Sequence, residues 1–247
     1  RFSEPMAPRE VLAKIVRGDV AQVFITFPEG LTIDEMSKIF EAQKLGKAST
    51  FVEAARNPDA VRAFDAAASD LEGYLFPDTY AMPRKTDAVT LVRAMVDRFD
   101  RVLTPALRDE AKARGLSVRQ LVTLASIVEK ETGRADERTQ VASVYVNRLR
   151  IGMGLQCDPT VIYALQRAGK YDGNLGRDDL RFDSPYNTYR YPGLPPGPIA
   201  APGKASLEAT LRPANTDYLY FVSRNDGSHA FARTLDEHNR NVQKFQI

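Results

Sequence analysis

Hydrophobic and polar positions alternate from about Gln22 to Phe27, where Val, Ile, Phe and Thr concentrate, and this period of two predicts a strand. Pro28-Glu29-Gly30 then predicts a turn. Thr32 with Glu35 has the capping-box spacing and opens a helix through about Ala42. Ser49-Thr50 and Asn57-Pro58 mark the starts of two more short helices, and Leu71–Tyr80 reads as strand and turn. After Pro83-Arg84-Lys85, which reads as a linker, the period changes. Val89, Val92, Val96 and Phe99 fall on one side of a helix from about Asp87 to Leu103. Val141, Val144, Tyr145 and Leu149 mark another amphipathic helix, and Asp158-Pro159 starts a further one with Asp as cap and Pro in the first turn. Residues 184–204 lose all periodicity and are stiffened by proline, as in a long functional loop. Tyr218–Val222 and His229–Phe231 form a hairpin around Asn225-Asp226-Gly227, and Thr234 with Glu237 caps a last helix.

The predicted architecture is α+β: a small N-terminal module, residues 1–83, followed by a mainly helical domain, residues 84–247, with a C-terminal β-hairpin and a proline-rich loop over the cleft. Strand, helix, helix, strand is the order of a LysM module, which binds N-acetylglucosamine chains, so the first part is LysM-like in pattern.

The stretch Leu124–Thr132 is chemically the most informative. Ser117 with Gln120 caps its helix, and Gly133 is a natural stop. Leu121, Val122, Leu124, Ala125 and Val128 fill one broad arc at roughly 100° per residue. Glu129 falls inside that arc, near Val122. Glu131 lies at its edge, and Lys130 lies outside. An inward carboxyl is costly to ionise and tends to titrate high, which suits a general acid near neutral pH. A solvated helix end with a Glu–Lys pair is the plainer alternative. Glu131 reads as a supporting or solvated residue.

Composition narrows the field. A 247-residue chain with 43% hydrophobic and 27% charged residues fits a soluble globular protein of one large or two small domains. The net charge of +2 gives no sign of nucleic-acid binding. A lone cysteine, Cys157, excludes an internal disulfide and a cysteine-built zinc site. His229 and His238 lack the paired spacing of a metal motif and read as structural or solvated, so no metal and no cofactor are expected. Gly152-Met153-Gly154 is not a phosphate loop, and no Gly-x-Ser-x-Gly elbow is present. There is no apolar run long enough to span a bilayer and no signal peptide. The chain starts at Arg1 and not at Met, so the lack of an anchor within it says little about the natural protein.

Seven separated pieces in one order resemble the YceG-like (MltG) family of endolytic murein transglycosylases. They are Leu71–Tyr80, Ala125–Thr132, Val141–Leu149, Gln156–Tyr163, Tyr186–Tyr189, Gly193–Ile199 and Tyr218–Val222. The resemblance implies a lytic cut between N-acetylmuramic acid and N-acetylglucosamine within peptidoglycan glycan strands. It leaves 1,6-anhydro-muramyl ends and limits the length of nascent strands. It also implies a single-pass anchor in the inner membrane, a catalytic domain on the periplasmic face, and wall synthases such as penicillin-binding proteins as partners. The first Glu of Glu-Lys-Glu, here Glu129, is the catalytic residue that it implies. Gln156, Asn187 and Tyr189 are candidates for hydrogen bonds to acetamido and hydroxyl groups, Tyr186 or Tyr191 for stacking on a sugar, and Glu72 for a second acidic group. Cys157 stands where the motif commonly has a small hydroxyl residue. Two other readings remain at this stage. One is a non-catalytic glycan-binding scaffold for wall synthesis. The other is a water-using muramidase whose second carboxylate is Glu72, Asp158 or Asp183.

Overall fold

The structure, a computed structural model, describes residues 5–16, 22–131 and 133–246. Helix α1 (Pro8–Val16) precedes strand β1 (Gln22–Thr26). Helices α2 (Ile33–Ala42) and α3 (Ala48–Ala55) and a 3-10 turn at Pro58–Val61 lead to strand β2 (Thr79–Pro83). β2 pairs antiparallel with β1 in the register Gln22–Pro83 to Thr26–Thr79. Five helices follow: α4 (Ala88–Val102), α5 (Pro105–Ala113), α6 (Val118–Glu131), α7 (Arg138–Arg150) and α8 (Asp158–Arg167). After a short 3-10 turn and the proline-rich segment come α9 (Lys204–Leu211), the antiparallel hairpin β3 (Tyr220–Ser223) and β4 (His229–Ala232), and α10 (Leu235–Phe245). The protein is therefore α+β.

Local chemistry accounts for most element starts. Thr32 and Glu35 make the reciprocal capping box on α2. Ser117 and Gln120 do the same on α6: each backbone N–H donates to the other's side chain, at 2.9 and 3.1 Å. Thr234 Oγ1 accepts from the Glu237 N–H to start α10. α5 begins at Thr104-Pro105, a cap followed by proline at the first helical position. Two details depart from the sequence reading. Val89 is 66% exposed, and Leu91 and Met95 take the buried positions expected of it. The strand expected within Leu71–Tyr80 is shorter: residues 71–78 form buried turns, and pairing starts at Thr79.

Packing does not break at residue 83. One apolar cluster includes Ile25, Phe27, Phe40 and Phe51 from the first part and Leu91, Met95, Phe99, Leu121 and Val122 from the second. A second cluster joins Leu124, Ile127 and Val128 of α6 to Val141 and Tyr145 of α7, Cys157, Tyr163 and Ile199. α6 is thus the central helix, buried from Leu121 through Val128, and packed against α5, α7, α8 and α9. Polar groups tie the proline-rich loop to it. Ser126 Oγ accepts from the Ile199 N–H at 3.0 Å, and Arg119 Nη1 donates to Pro196 C=O at 2.6 Å. The same Arg119 pairs with buried Asp65 at 3.0 Å.

Gly73 marks the closest approach of this loop. Its φ is +81°, and a Cβ there would stand 3.0 Å from Val122 Cγ1 and overlap the Pro198 ring. Gly73→Ala combines a left-handed strain with overpacking, and a cost of about 2–4 kcal/mol is expected. The readout is a lower urea midpoint at unchanged slope. An unchanged midpoint would show that the loop yields freely.

Candidate active site

The C-terminal end of α6 carries two carboxylates two residues apart. At roughly 100° per residue they point to different neighbours.

Glu129 faces inward, as its position in the arc predicts. Its side chain is 7% exposed. Oε2 accepts the Gly203 N–H at the start of α9, at 2.9 Å, and Oε1 lies 3.9 Å from Arg138 of α7. Glu29, in the turn after β1, lies alongside. Burial holds the Glu29 carboxyl above the usual range, with Glu129 adding to the rise and Arg138 opposing it. A Cβ on Gly203 would overlap the Glu29 carboxyl, so only glycine fits between them. Lys130 Nζ donates to Gly30 C=O at 3.2 Å. Backbone bonds from Gly30 N–H to Ala201 C=O and from Ala201 N–H to Leu31 C=O, both 2.8 Å, complete the junction. This cluster joins four parts of the chain and gives Glu129 a hydrogen bond at Oε2 and a longer ion pair at Oε1.

Glu131 has a different setting. It opens onto a cavity of about 300 Å³ that Gln156, Asp158, Tyr189, Tyr220 and His238 also line. Tyr145 OH donates to its Oε1 at 2.7 Å. Burial raises the Glu131 carboxyl above the usual range. Hydrogen bonds from Cys157 and Tyr145 offset part of that rise, nearby Asp158 adds to it, and His229 opposes it. Cys157 is buried beneath Glu131, and burial together with that carboxyl's charge pushes the thiol far up, so it stays protonated as a donor. Glu131 is therefore not the solvated residue that its place at the arc's edge suggests.

The cavity walls come from distant segments. Gln156 adopts a left-handed φ of 48° and is exposed to the cavity. Its N–H donates to Thr188 C=O at 3.2 Å, and the Cys157 N–H donates to Thr188 Oγ1 at 3.0 Å. These bonds fix the 184–190 turn over the start of α8. Tyr189 OH donates to Asp158 Oδ1 at 2.6 Å. Asp158 is the first residue of α8 and makes no cap; Cys157 holds the cap position without a side-chain capping bond. Arg148 of α7 donates to Leu219 C=O at 2.6 Å and to Leu155 C=O at 2.7 Å, which locks β3 against the 154–156 segment. His229 pairs with Glu137 at 2.7 Å and, with Arg224, lines a neighbouring cavity of about 490 Å³.

The other predicted residues lie elsewhere. Asn187 is completely buried, and its amide is spent internally. Nδ2 donates to Leu180 C=O and Phe182 C=O at 3.0 and 2.7 Å, and Oδ1 accepts the Tyr189 N–H at 3.0 Å. It has no group to offer a sugar; it shapes the turn that presents Tyr189. Asn187→Ala strands two carbonyls and an N–H and is expected to cost about 2–3 kcal/mol. Thermal melts read this as a lower Tm; an intact Tm with weakened glycan binding would restore Asn187 as a ligand-binding residue.

Glu72, 7% exposed, accepts the Ile33 N–H at 3.2 Å and Tyr163 OH at 3.3 Å. It lines a separate cavity of about 520 Å³ with Arg56, Asp70, Tyr163 and Arg167. Burial raises its carboxyl to about 8, with Asp70 adding to the rise. The Tyr186 ring lies tilted against that of Tyr163, with centroids 5.0 Å apart, on that side of α8. Tyr191 and Asp183 bond each other at 2.7 Å on the exposed loop. Thr132, the end of the chemically informative stretch, lies outside the described residues. Gln156, Tyr189 and Asp158 therefore share a cavity with Glu131, and Glu72 lines another; Glu129 lines neither.

The profile of the YceG-like family matches residues 1–244. The chain belongs to the YceG-like family. It is 44% identical over 176 residues to the endolytic murein transglycosylase of Bacillus subtilis (strain 168), an alignment covering 71% of this chain and 48% of that protein. It is 34% identical to the protein of the same name from Streptococcus pneumoniae serotype 2, across 98% of this chain and 49% of that one. The chain thus spans about half the length of the curated relatives it matches. Among solved structures, a yceG-like protein from Listeria monocytogenes superposes with a TM-score of 0.79 at 35% identity, covering 97% of this chain and 82% of that one.

Sequence reasoning missed the partners of both carboxylates: Glu29, Arg138 and Gly203 on one side, Tyr145 and the Cys157 thiol on the other. None has a local signal that ties it to α6.

Proposed function

We propose that this chain is an endolytic murein transglycosylase that cuts the N-acetylmuramic acid–N-acetylglucosamine bond within glycan strands, with Glu131 as the acid–base group. The names of the curated relatives support the reaction class. One observation carries the assignment within the site: of the two α6 carboxylates, Glu131 opens onto the cavity of Gln156 and Tyr189, and burial keeps its proton at higher pH. Perturbed acids in polar-lined cavities are the usual candidates for proton transfer. Glu129, held by Gly203 and Arg138, is read as the joint that fixes the helix end.

Protonated Glu131 donates to the glycosidic oxygen as the C1–O bond breaks. The oxocarbenium-like centre is assisted by the substrate's acetamido group. The muramyl C6 hydroxyl then closes on C1, and ionised Glu131 takes its proton. Bond made and bond broken balance without water, and the product carries a 1,6-anhydro end. Tyr145 and Cys157 donate to the carboxylate in the interval between the two transfers.

Asp158 favours a second reading, since a second carboxylate in the same cavity suits activation of water. Mass spectrometry of digested, uncrosslinked peptidoglycan separates the two. Anhydro ends support lytic cleavage. Reducing ends, heavier by one water, would overturn it in favour of hydrolysis with Asp158 as base.

The remaining parts of the reading follow from the family. The strand–helix–helix–strand order supports a LysM-like part in residues 1–83, with 84–247 carrying the chemistry. The shared core makes this a division of labour within one packed unit. Anchoring at the outer face of the inner membrane, work on nascent strands and contact with wall synthases complete the proposal.

A further inference from the structure

The wall of the 300 Å³ cavity opposite α8 comes from the hairpin and last helix, which the mechanism above does not use. His238 of α10 stacks on Tyr220 of β3, with ring centroids 5.2 Å apart and planes 25° from parallel. The Arg148 guanidinium lies over the same Tyr220 ring, at 5.2 Å. Leu235, one turn before His238 on α10, is 54% exposed and adds an apolar edge to the cavity. An aromatic and apolar wall with a few fixed polar atoms is the usual make-up of a small-ligand site. The face of a pyranose presents C–H bonds that suit such a wall.

The polar atom of interest is on His238. Its Nδ1 is sealed from solvent and has no hydrogen-bond partner among the described residues. A buried N–H with no acceptor is among the rarest of unsatisfied groups. Burial lowers the ring's basicity, and the positive charge of Arg148 further disfavours a proton on it. The ring is therefore neutral with its proton on Nε2, the tautomer being assigned from these surroundings.

We propose that His238 is a substrate-binding residue whose Nε2–H donates to a neutral acceptor on an N-acetylhexosamine unit, the acetamido carbonyl or a ring hydroxyl, while the Tyr220 stack holds the imidazole in place. This rests on the reading of the Glu131 cavity as the site of cleavage. It gives the Tyr218–Val222 motif and the last helix a role: they set which sugar group is tolerated beside the acid.

The test separates this proposal from the assignment of the acid. Binding of uncrosslinked glycan strands and of tetra-N-acetylchitotetraose is measured in the Glu131→Gln background, where cleavage is removed. His238→Phe keeps the stack and the bulk but removes the donor, and it discards an orphan nitrogen, so the fold is expected to survive with an unchanged Tm. Its expected effect is on the order of tenfold weaker binding. In the otherwise native chain the same variant is expected to raise KM more than it lowers kcat. His238→Gln, which can offer an amide N–H, is expected to recover most of the binding. Equal affinity for the parent and His238→Phe would overturn the proposal, and so would failure of the Glu131→Gln protein to retain either glycan. Continued cutting by Glu131→Gln would instead overturn the acid and leave the binding comparison standing.

Discussion

Glu131→Gln is expected to lower the cleavage rate on the order of 10²–10⁴-fold, with the fold retained. Glutamine keeps the shape and still accepts from Tyr145 OH but carries no transferable proton. The companion variant Glu129→Gln is expected to show the reverse. Replacing Glu129 leaves Arg138, 13% exposed, facing a neutral amide. A carbonyl oxygen still reaches the Gly203 N–H but more weakly than a carboxylate does. A loss of about 1–3 kcal/mol of stability is expected, with turnover within about tenfold of the parent. Anhydro-product formation and thermal melts of both variants decide the matter. If Glu129→Gln is inactive yet folded while Glu131→Gln still cuts, the acid is Glu129.

Below about pH 8 the second large effect appears in stability. Native Glu72 titrates near 8, against an ordinary carboxyl value of 4.5. Between these values the folded protein holds a proton that the unfolded chain releases. Its stabilising contribution is complete below the lower value, declines as pH rises, and is gone above the upper one. The change is on the order of a few kcal/mol. Glu72→Gln cannot ionise and still accepts the Ile33 N–H, so its stability is expected to be flatter across this window and to exceed the parent's at pH 8. Urea midpoints of the two proteins as a function of pH test this. Parallel curves would mean that Glu72 ionises near the ordinary value.

How far the sequence carried depended on whether the determining contacts are local. The capping boxes at Thr32 and Ser117 and the Thr234 cap are written within four residues, and each starts a helix where expected. The hairpin announced by Asn225-Asp226-Gly227 forms as expected. α9 was not anticipated: Lys204–Leu211 is short and buried on several sides, so it lacks a polar face to set a period. α5 carries its own local signal, the Thr104 cap followed by Pro105 at the first helical position. Asn187 had one too, since its bond to the Tyr189 N–H two residues on is an Asx turn. Within the site, the inward direction of Glu129 was legible from the helical arc. Which carboxylate meets a cavity was not, because α7, the 184–190 turn and β3 build that cavity from afar.

The spread of the site along the chain bears on when activity can arise as the protein is made. Glu129 is fastened to Gly203, and the Glu131 cavity is walled by Tyr220 and His238. A ribosome that has finished α6 has made both carboxylates but none of these late partners. Loops of this length close slowly and without local help. The emerging chain therefore carries the proposed acid through the synthesis of residues 132–238 with no formed pocket around it, and that pocket closes only once α10 is made.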